Sequence, residues 1–181
     1  MALSTAIVAN GCFWCTEAVF KRLKGVVSVM PGYSGGSVAD PTYQEVSTGT
    51  TGHAESIQVQ FDPTILPYEK LLEIFFHTHN PTTLNRQGND IGPQYRSAIF
   101  YMDDEQKQTA QKVKKALVES HVYKDPIVTE IVPFSAFYPA ENYHKDYYDT
   151  HKDAPYCQFV IDPKLQKLLK EYGDSVKDEY K

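Results

Sequence analysis

Ile57, Val59 and Phe61 alternate with Ser56, Gln58 and Gln60. Strict alternation of this kind marks a strand with one buried face, and it is the firmest local pattern in the chain. Asp62-Pro63 stops it. Around it the periods change in a regular way. Residues 5–9 (Thr5-Ala6-Ile7-Val8-Ala9) are small, β-branched and uncharged, a short buried strand. From about Cys12 the apolar residues Ala18, Val19, Phe20 and Leu23 fall at helical spacing, and that helix ends near Gly25. Residues 26–29 resume a strand. Pro67 stands at a first helical position, followed by Leu71, Leu72, Phe75 and Phe76 on one face, to an end at His79-Asn80-Pro81. Residues 97–101 read as a strand. Asp103 with Gln106 resembles a capping box and opens a charged helix through about Val122, with Ala110, Val113 and Leu117 inward. Residues 127–132, bounded by Pro126 and Pro133, make another strand. The order predicts an α/β (α+β) two-layer sandwich, a mixed sheet with packed helices on a ferredoxin-like core. The 181 residues suit one domain spanning 1–181.

Three stretches fall outside this alternation. Pro31-Gly32-Tyr33-Ser34-Gly35-Gly36 reads as a glycine-rich turn running on to Asp40-Pro41-Thr42-Tyr43. It is no phosphate loop, since no Lys-Ser/Thr follows and no helix pattern opens from it. Residues 84–96 are polar and glycine-punctuated. The C-terminal part is dense in tyrosine from Phe137 to Tyr148 and irregular around Pro155-Tyr156-Cys157-Gln158-Phe159. A final amphipathic helix starts at Asp162-Pro163 and carries Leu165, Leu168, Leu169 and Tyr172. Cys157 is expected in a mobile segment.

A net charge of −5 leaves no footprint for nucleic acid or an anionic membrane. No apolar run approaches the roughly 18 residues of a membrane span, and the N-terminus lacks a signal-peptide pattern. Three cysteines do not make a disulfide scaffold, so a cytoplasmic, reducing location is expected.

Chemistry concentrates at Gly11-Cys12-Phe13-Trp14-Cys15. A cysteine where a strand turns into a helix meets unpaired N–H groups and the positive end of the helix dipole, both of which favour the thiolate. Gly11 removes a side chain from beside the sulfur, while Phe13 and the only Trp, Trp14, add apolar surface. The reading is a reactive thiol beside an aromatic pocket. The alternative, a small core cysteine among core aromatics, explains less of the pattern. Cys12-x-x-Cys15 also resembles a thioredoxin redox motif, but Phe-Trp between the cysteines would crowd a protein disulfide. Cys–His hydrolysis leaves two thiols unused, and the histidine spacings match no zinc pattern. Glu55 begins the alternating strand on the face of Ile57, Val59 and Phe61. It is either solvated before the strand begins or buried in a dry pocket with a raised pKa.

Taken together, the motifs resemble the peptide methionine sulfoxide reductase type A family. Gly11-Cys12-Phe13-Trp14-Cys15 is joined in family order by Gly32-Tyr33-Ser34-Gly35-Gly36, Pro41-Thr42-Tyr43, Gly52-His53-Ala54-Glu55, Asn80-Pro81-Thr82-Thr83, Gln87-Gly88-Asn89-Asp90, Gln94-Tyr95-Arg96-Ser97 and Ala140-Glu141-Asn142-Tyr143-His144. Position 15 is often Gly in the family, and a charged helix stands where some members carry a glycine-rich tail with a further cysteine. The resemblance implies reduction of methionine S-sulfoxide, free or in oxidised proteins, by thiolate attack of Cys12 on the sulfoxide sulfur. It implies Glu55 as the buried acid, Tyr43 and Tyr95 as donors to the oxygen, and Asp90 as the carboxylate holding that network. Phe13 and Trp14 would cradle the S-methyl group. It also implies a sulfenic acid on Cys12 condensed by a second thiol and recycled by thioredoxin, a monomer, and no metal or bound cofactor. Cys157 is favoured over Cys15 as that second thiol. Two residues of one helical turn at i, i+3 hold their Cβ atoms too far apart for an unstrained disulfide, and Cys157 matches the family's recycling cysteine.

Overall fold

The computed structural model describes residues 2–181. Strand β1 (Ser4–Asn10) is followed by helix α1 (Phe13–Lys21), strand β2 (Val26–Ser34) and strand β3 (Ala54–Phe61), with the short helix α2 (Tyr43–Ser47) between the two strands. Helix α3 (Tyr68–His77), strand β6 (Ser97–Tyr101), helix α4 (Asp104–Glu119) and strand β7 (Glu130–Pro133) come next. A two-residue hairpin of β4 (Arg86–Gln87) and β5 (Asp90–Ile91) precedes β6. Strand β8 (Phe137–Pro139), helix α5 (Tyr147–Thr150) and helix α6 (Asp162–Tyr172) complete the chain. The main sheet runs β7-β6-β1-β3-β2-β8. Its inner four strands, all antiparallel, carry the ferredoxin-like order, while β7 adds a parallel edge beside β6 and β8 an antiparallel edge beside β2.

The central strand β1 has both faces covered, so it is apolar throughout. Ala6 and Val8 join Ile57, Val59 and Phe61 of β3 against α1, α3 and α4, through Phe20, Leu71, Phe75, Phe76 and Val113. Ile7 and Ala9 face the other way, beside Ala54, Ala98 and Phe100. On that side the chain after β2 comes close: a Cβ on Gly35 would lie 2.8 Å from both the Phe100 ring and the Arg96 guanidinium.

Several local expectations need correction. Pro31-Gly32-Tyr33 is not a turn; β2 runs through it to Ser34, because Gly32 through Ser34 pair with β8. A Cβ on Gly32 would stand 2.4 Å from the Phe137 ring, so only glycine admits that neighbour. A helix does follow the glycine-rich segment: Thr42 and Glu45 form a capping box at the start of α2. Pro67 is the cap of α3, outside the first helical position. Asp103 caps α4 through Gln106 N–H, but the Gln106 side chain accepts from Met102 N–H, so the box is only half made; α4 stops at Glu119. Strand β7 starts at Glu130 and includes Pro133. Leu169 is exposed, whereas Leu165 and Leu168 are buried.

The largest correction concerns Cys157. It is fully buried and opens a wide helical turn, Cys157–Ile161, that runs straight into α6. Pro163 lacks an N–H and its ring crowds the carbonyl four residues back. Widening the preceding turn accommodates both.

Candidate active site

Strand β1 ends at Asn10, and Gly11 makes the bend with φ +106°, where an L side chain is strained. A Cβ there would also meet the Gln87 side chain at 2.8 Å. These two constraints, and not clearance beside the sulfur, account for the glycine. Cys12 is the N-cap of α1, with extended backbone at ψ 126°; its carbonyl accepts from Cys15 and Thr16 N–H at 3.1 and 3.3 Å.

Glu55 lies on β3 opposite Tyr33 of β2 and is only 2 % exposed, so the alternation continues through it into the core. Its Oε2 accepts the Phe13 backbone N–H at 3.0 Å. Burial pushes its pKa up to about 8, against the opposing effect of that bond. Glu55 thus takes a helix-start N–H that a Cys12 thiolate could have used. Burial first, and then the neighbouring Cys15 thiol and the Glu55 charge, push the Cys12 thiol well above its ordinary value. The expected lowering by the helix N-terminus survives only as a weaker contribution from Trp14 N–H. The Cys12 neighbour pulls Cys15 the other way, helped by Lys164 and Tyr156 against burial.

Tyr43 starts α2, where its N–H donates to Glu141 Oε2 at 3.1 Å. Its hydroxyl is raised to about 12 by burial and by the charges of Glu55 and Cys12. Burial, Glu55, Tyr43 and Cys12 raise the Tyr95 hydroxyl likewise, so both phenols lie within the electrostatic reach of Cys12 and Glu55. The tight β4–β5 hairpin turns at Gly88 (φ +57°) and presents Asp90. Asp90 Oδ2 accepts the Tyr156 hydroxyl at 2.7 Å, and that hydroxyl is 3.6 Å from Cys15 Sγ.

Phe13 is fully buried, with its ring 4.9 Å from His144 and 5.7 Å from Tyr33. Trp14 stacks on Tyr147 at 3.7 Å and 6°, meets Tyr156 edge-on at 5.7 Å, and donates its indole N–H to His144 Nδ1 at 3.0 Å. A cleft of about 330 Å³ opens beside these groups, lined by Cys12, Cys15, Asn89, Asp90, Tyr156 and Lys164 among others.

Cys12, Cys15 and Asp90 line that cleft, and Trp14 packs edge-on against Tyr156 of its wall. Glu55 is bonded to the N–H of Phe13, next in the chain to Cys12, while Tyr43 and Tyr95 feel the charges of Cys12 and Glu55. Cys157 is not part of the lining. Sequence reasoning gave no role to His144, Tyr147, Tyr156 or Glu141. Glu141 and His144 stand in the motif at residues 140–144, which carried no role of its own. The signal for Tyr147 and Tyr156 was the tyrosine density of residues 137–156, which reads as composition until Trp14 and Asp90 are seen to bind it. His53 bonds Gly36 N–H and the Val38 carbonyl, and His79 bonds the Phe75 carbonyl and Ser97. Among the described residues, no three His, Cys, Asp or Glu side chains converge as metal ligands would.

The model of the family described as peptide methionine sulfoxide reductase matches residues 4–176. This chain belongs to that family. It is an oxidoreductase that acts on methionine sulfoxide. It is 59 % identical over 172 residues to the peptide methionine sulfoxide reductase MsrA of Sulfolobus acidocaldarius, covering 95 % of this chain and 97 % of the relative. The MsrA of Thermus thermophilus is 57 % identical over 167 residues, 92 % of this chain and 94 % of that one. Among solved structures, reduced Mxr1 from Saccharomyces cerevisiae has a TM-score of 0.78 at 32 % identity, covering 86 % of this chain and 89 % of Mxr1. The fold also matches Mxr1 in its complex with Trx2, at a TM-score of 0.55 and 24 % identity over 80 % of this chain and 84 % of that one. No helix among the described residues is long and apolar enough to cross a membrane.

Proposed function

We propose that the whole chain, residues 1–181, acts as one domain that reduces the S-epimer of methionine sulfoxide, free or within proteins, at Cys12. The observation that carries this reading is the buried Glu55 carboxyl, raised to about 8 and bonded to the helix start that presents Cys12. A carboxyl with that pKa holds its proton at neutral pH and can release it in the reaction.

Cys12 Sγ attacks the sulfoxide sulfur. Glu55 gives its proton to the sulfoxide oxygen and receives the proton of the Cys12 thiol. The Tyr43 and Tyr95 hydroxyls donate to the same oxygen as its negative charge grows. The S–O bond of the substrate breaks as hydroxyl passes to Cys12, releasing methionine and leaving a sulfenic acid. Phe13 and Trp14 hold the S-methyl group, whose sulfur favours aromatic contact. Asp90 orients this wall of the pocket through Tyr156. A second thiol, Cys15 or Cys157, condenses with the sulfenic acid, and a thioredoxin-type dithiol reduces the disulfide, as the complex of Mxr1 with Trx2 supports. The protein acts as a monomer in a reducing compartment, the cytoplasm, where its three free thiols can cycle. No step calls on a metal or bound cofactor.

One equivalent of methionine S-sulfoxide without reductant should yield one methionine and remove two thiols; the R-epimer should yield none. Cys12→Ser should abolish the reaction in a folded protein, and normal methionine release from that variant would overturn the assignment.

A further inference from the structure

The fold does not treat the two candidate second thiols, Cys15 and Cys157, alike. Cys12 has an extended backbone and stands outside the helix, while Cys15 is its third residue. From an N-cap, a side chain leans toward the third helical residue; this is how Ser and Thr caps reach that residue's N–H. The separation that holds between two residues inside a helix therefore does not apply to this pair. Both cysteines line the same cleft, and each is the strongest side-chain influence on the other's proton. Around Cys15 the cleft is built for a thiol that must lose its proton. The Tyr156 hydroxyl, fixed by Asp90 at 2.7 Å, lies 3.6 Å from Cys15 Sγ, and the charge of Lys164 acts on the same sulfur.

Cys157 is buried to nearly the same degree as Cys15 but differs in place: it does not line the cleft, and its carbonyl accepts a backbone N–H that closes the wide turn before α6. Gln158 N–H is held by the Ala154 carbonyl at 3.1 Å. Cys157 is thus held in the turn that leads into α6, whereas Cys15 already shares the cleft with Cys12.

We propose that Cys15, and not Cys157, is the thiol that resolves oxidised Cys12. The inference rests on the reading above, in which Cys12 becomes a sulfenic acid. Cys15 Sγ attacks Cys12 Sγ, the S–S bond forms and the Cys12 S–O bond breaks. The hydroxyl leaves as water with the proton of the Cys15 thiol. The sulfenic sulfur is reduced and the Cys15 sulfur oxidised to the disulfide level, so the step calls for no outside oxidant or reductant.

The test is a single turnover with one equivalent of methionine S-sulfoxide and no reductant, quenched in acid from milliseconds to minutes. Free thiols are then alkylated and the disulfide mapped by peptide mass. The earliest bond should join Cys12 to Cys15, with Cys157 alkylated, and Cys157→Ser should give the same map. In Cys15→Ser, the dimedone-trappable sulfenic acid should last at least about tenfold longer than in the wild type. A Cys12–Cys157 bond at the earliest quench overturns the inference. So does a sulfenic acid that persists in Cys157→Ser, or one whose lifetime is unchanged in Cys15→Ser. Should the wild-type protein release no methionine, the proposed function fails; should it release methionine with the bond at Cys157, only this inference fails.

Discussion

Replacing Glu55 with Gln should leave the protein more stable at pH 8 while removing most of its activity. In the folded chain Glu55 holds its proton to about pH 8, against an ordinary value of 4.5. Between those values the native state binds a proton that the unfolded chain has released, so stability falls as pH rises through this window. Below pH 4.5 both states are protonated and the contribution vanishes. At about 1.4 kcal/mol per pKa unit, the cost at pH 7 is roughly 3 kcal/mol. The amide of the Glu55→Gln variant would not titrate, and its side-chain oxygen can still accept the Phe13 N–H. Urea unfolding of wild type and Glu55→Gln at pH 5, 6, 7 and 8 should therefore give a stability gap that widens with pH in favour of the variant. Glu17, raised to about 7 by burial, adds a slope of the same sign, and subtracting the variant removes it. In the same protein the chemical step should slow by about 10²–10⁴, because the amide has no proton to give. Parallel stability curves across the four pH values would refute the argument that Glu55 is kept protonated by burial.

Three other outcomes are expected. Trp14→Ala removes the stack on Tyr147 and the bond to His144, so KM should rise about tenfold with little change in kcat; an unchanged KM in steady-state assays would take Trp14 out of substrate binding. Tyr43→Phe and Tyr95→Phe should each slow the chemical step by about 10–100-fold in rapid-quench experiments, the effect of losing a hydrogen-bond donor to a developing oxyanion. Gly32→Ala forces a methyl group against the Phe137 ring and the Tyr138 carbonyl, and should cost about 1–3 kcal/mol in urea unfolding; full stability would mean that β8 yields easily.

The parts of the fold that were legible from residues alone are those where burial imposes a period. Ile57, Val59 and Phe61 announce β3, and Leu71, Leu72, Phe75 and Phe76 announce α3. What the period cannot tell is what lies above each face. Glu55 could be placed on the core side by counting, yet its burial depends on α1 starting where Phe13 N–H meets it. Pro31-Gly32 carries a strong local turn signal that pairing with β8 overrides, and β8 itself is only three residues long. The wide turn at Cys157 was hidden because Pro155 and Pro163 suggest irregular chain. Their actual effects are to open a helical stretch and to stretch one of its turns. The motif residues were found through their likeness to a family. Tyr156 became visible only where Asp90 gave it a partner, and His144, known from its motif, gained a role only where it accepts the Trp14 indole N–H.

Helix α1 spans about 13 Å, and the C-terminal segment is fastened along all of it. Trp14 stacks on Tyr147 near one end, and Glu17 receives the Asp146 N–H in the middle at 3.0 Å. At the far end Lys21 reaches Asp146 and Asp149 at 2.6 Å, and Arg22 reaches Asp149 at 2.8 Å. The helix whose N-cap is Cys12 is thus bolted to the segment that supplies Tyr147 and Asp149. A force on the tail is passed to the whole length of α1, and helix and tail tilt as one body.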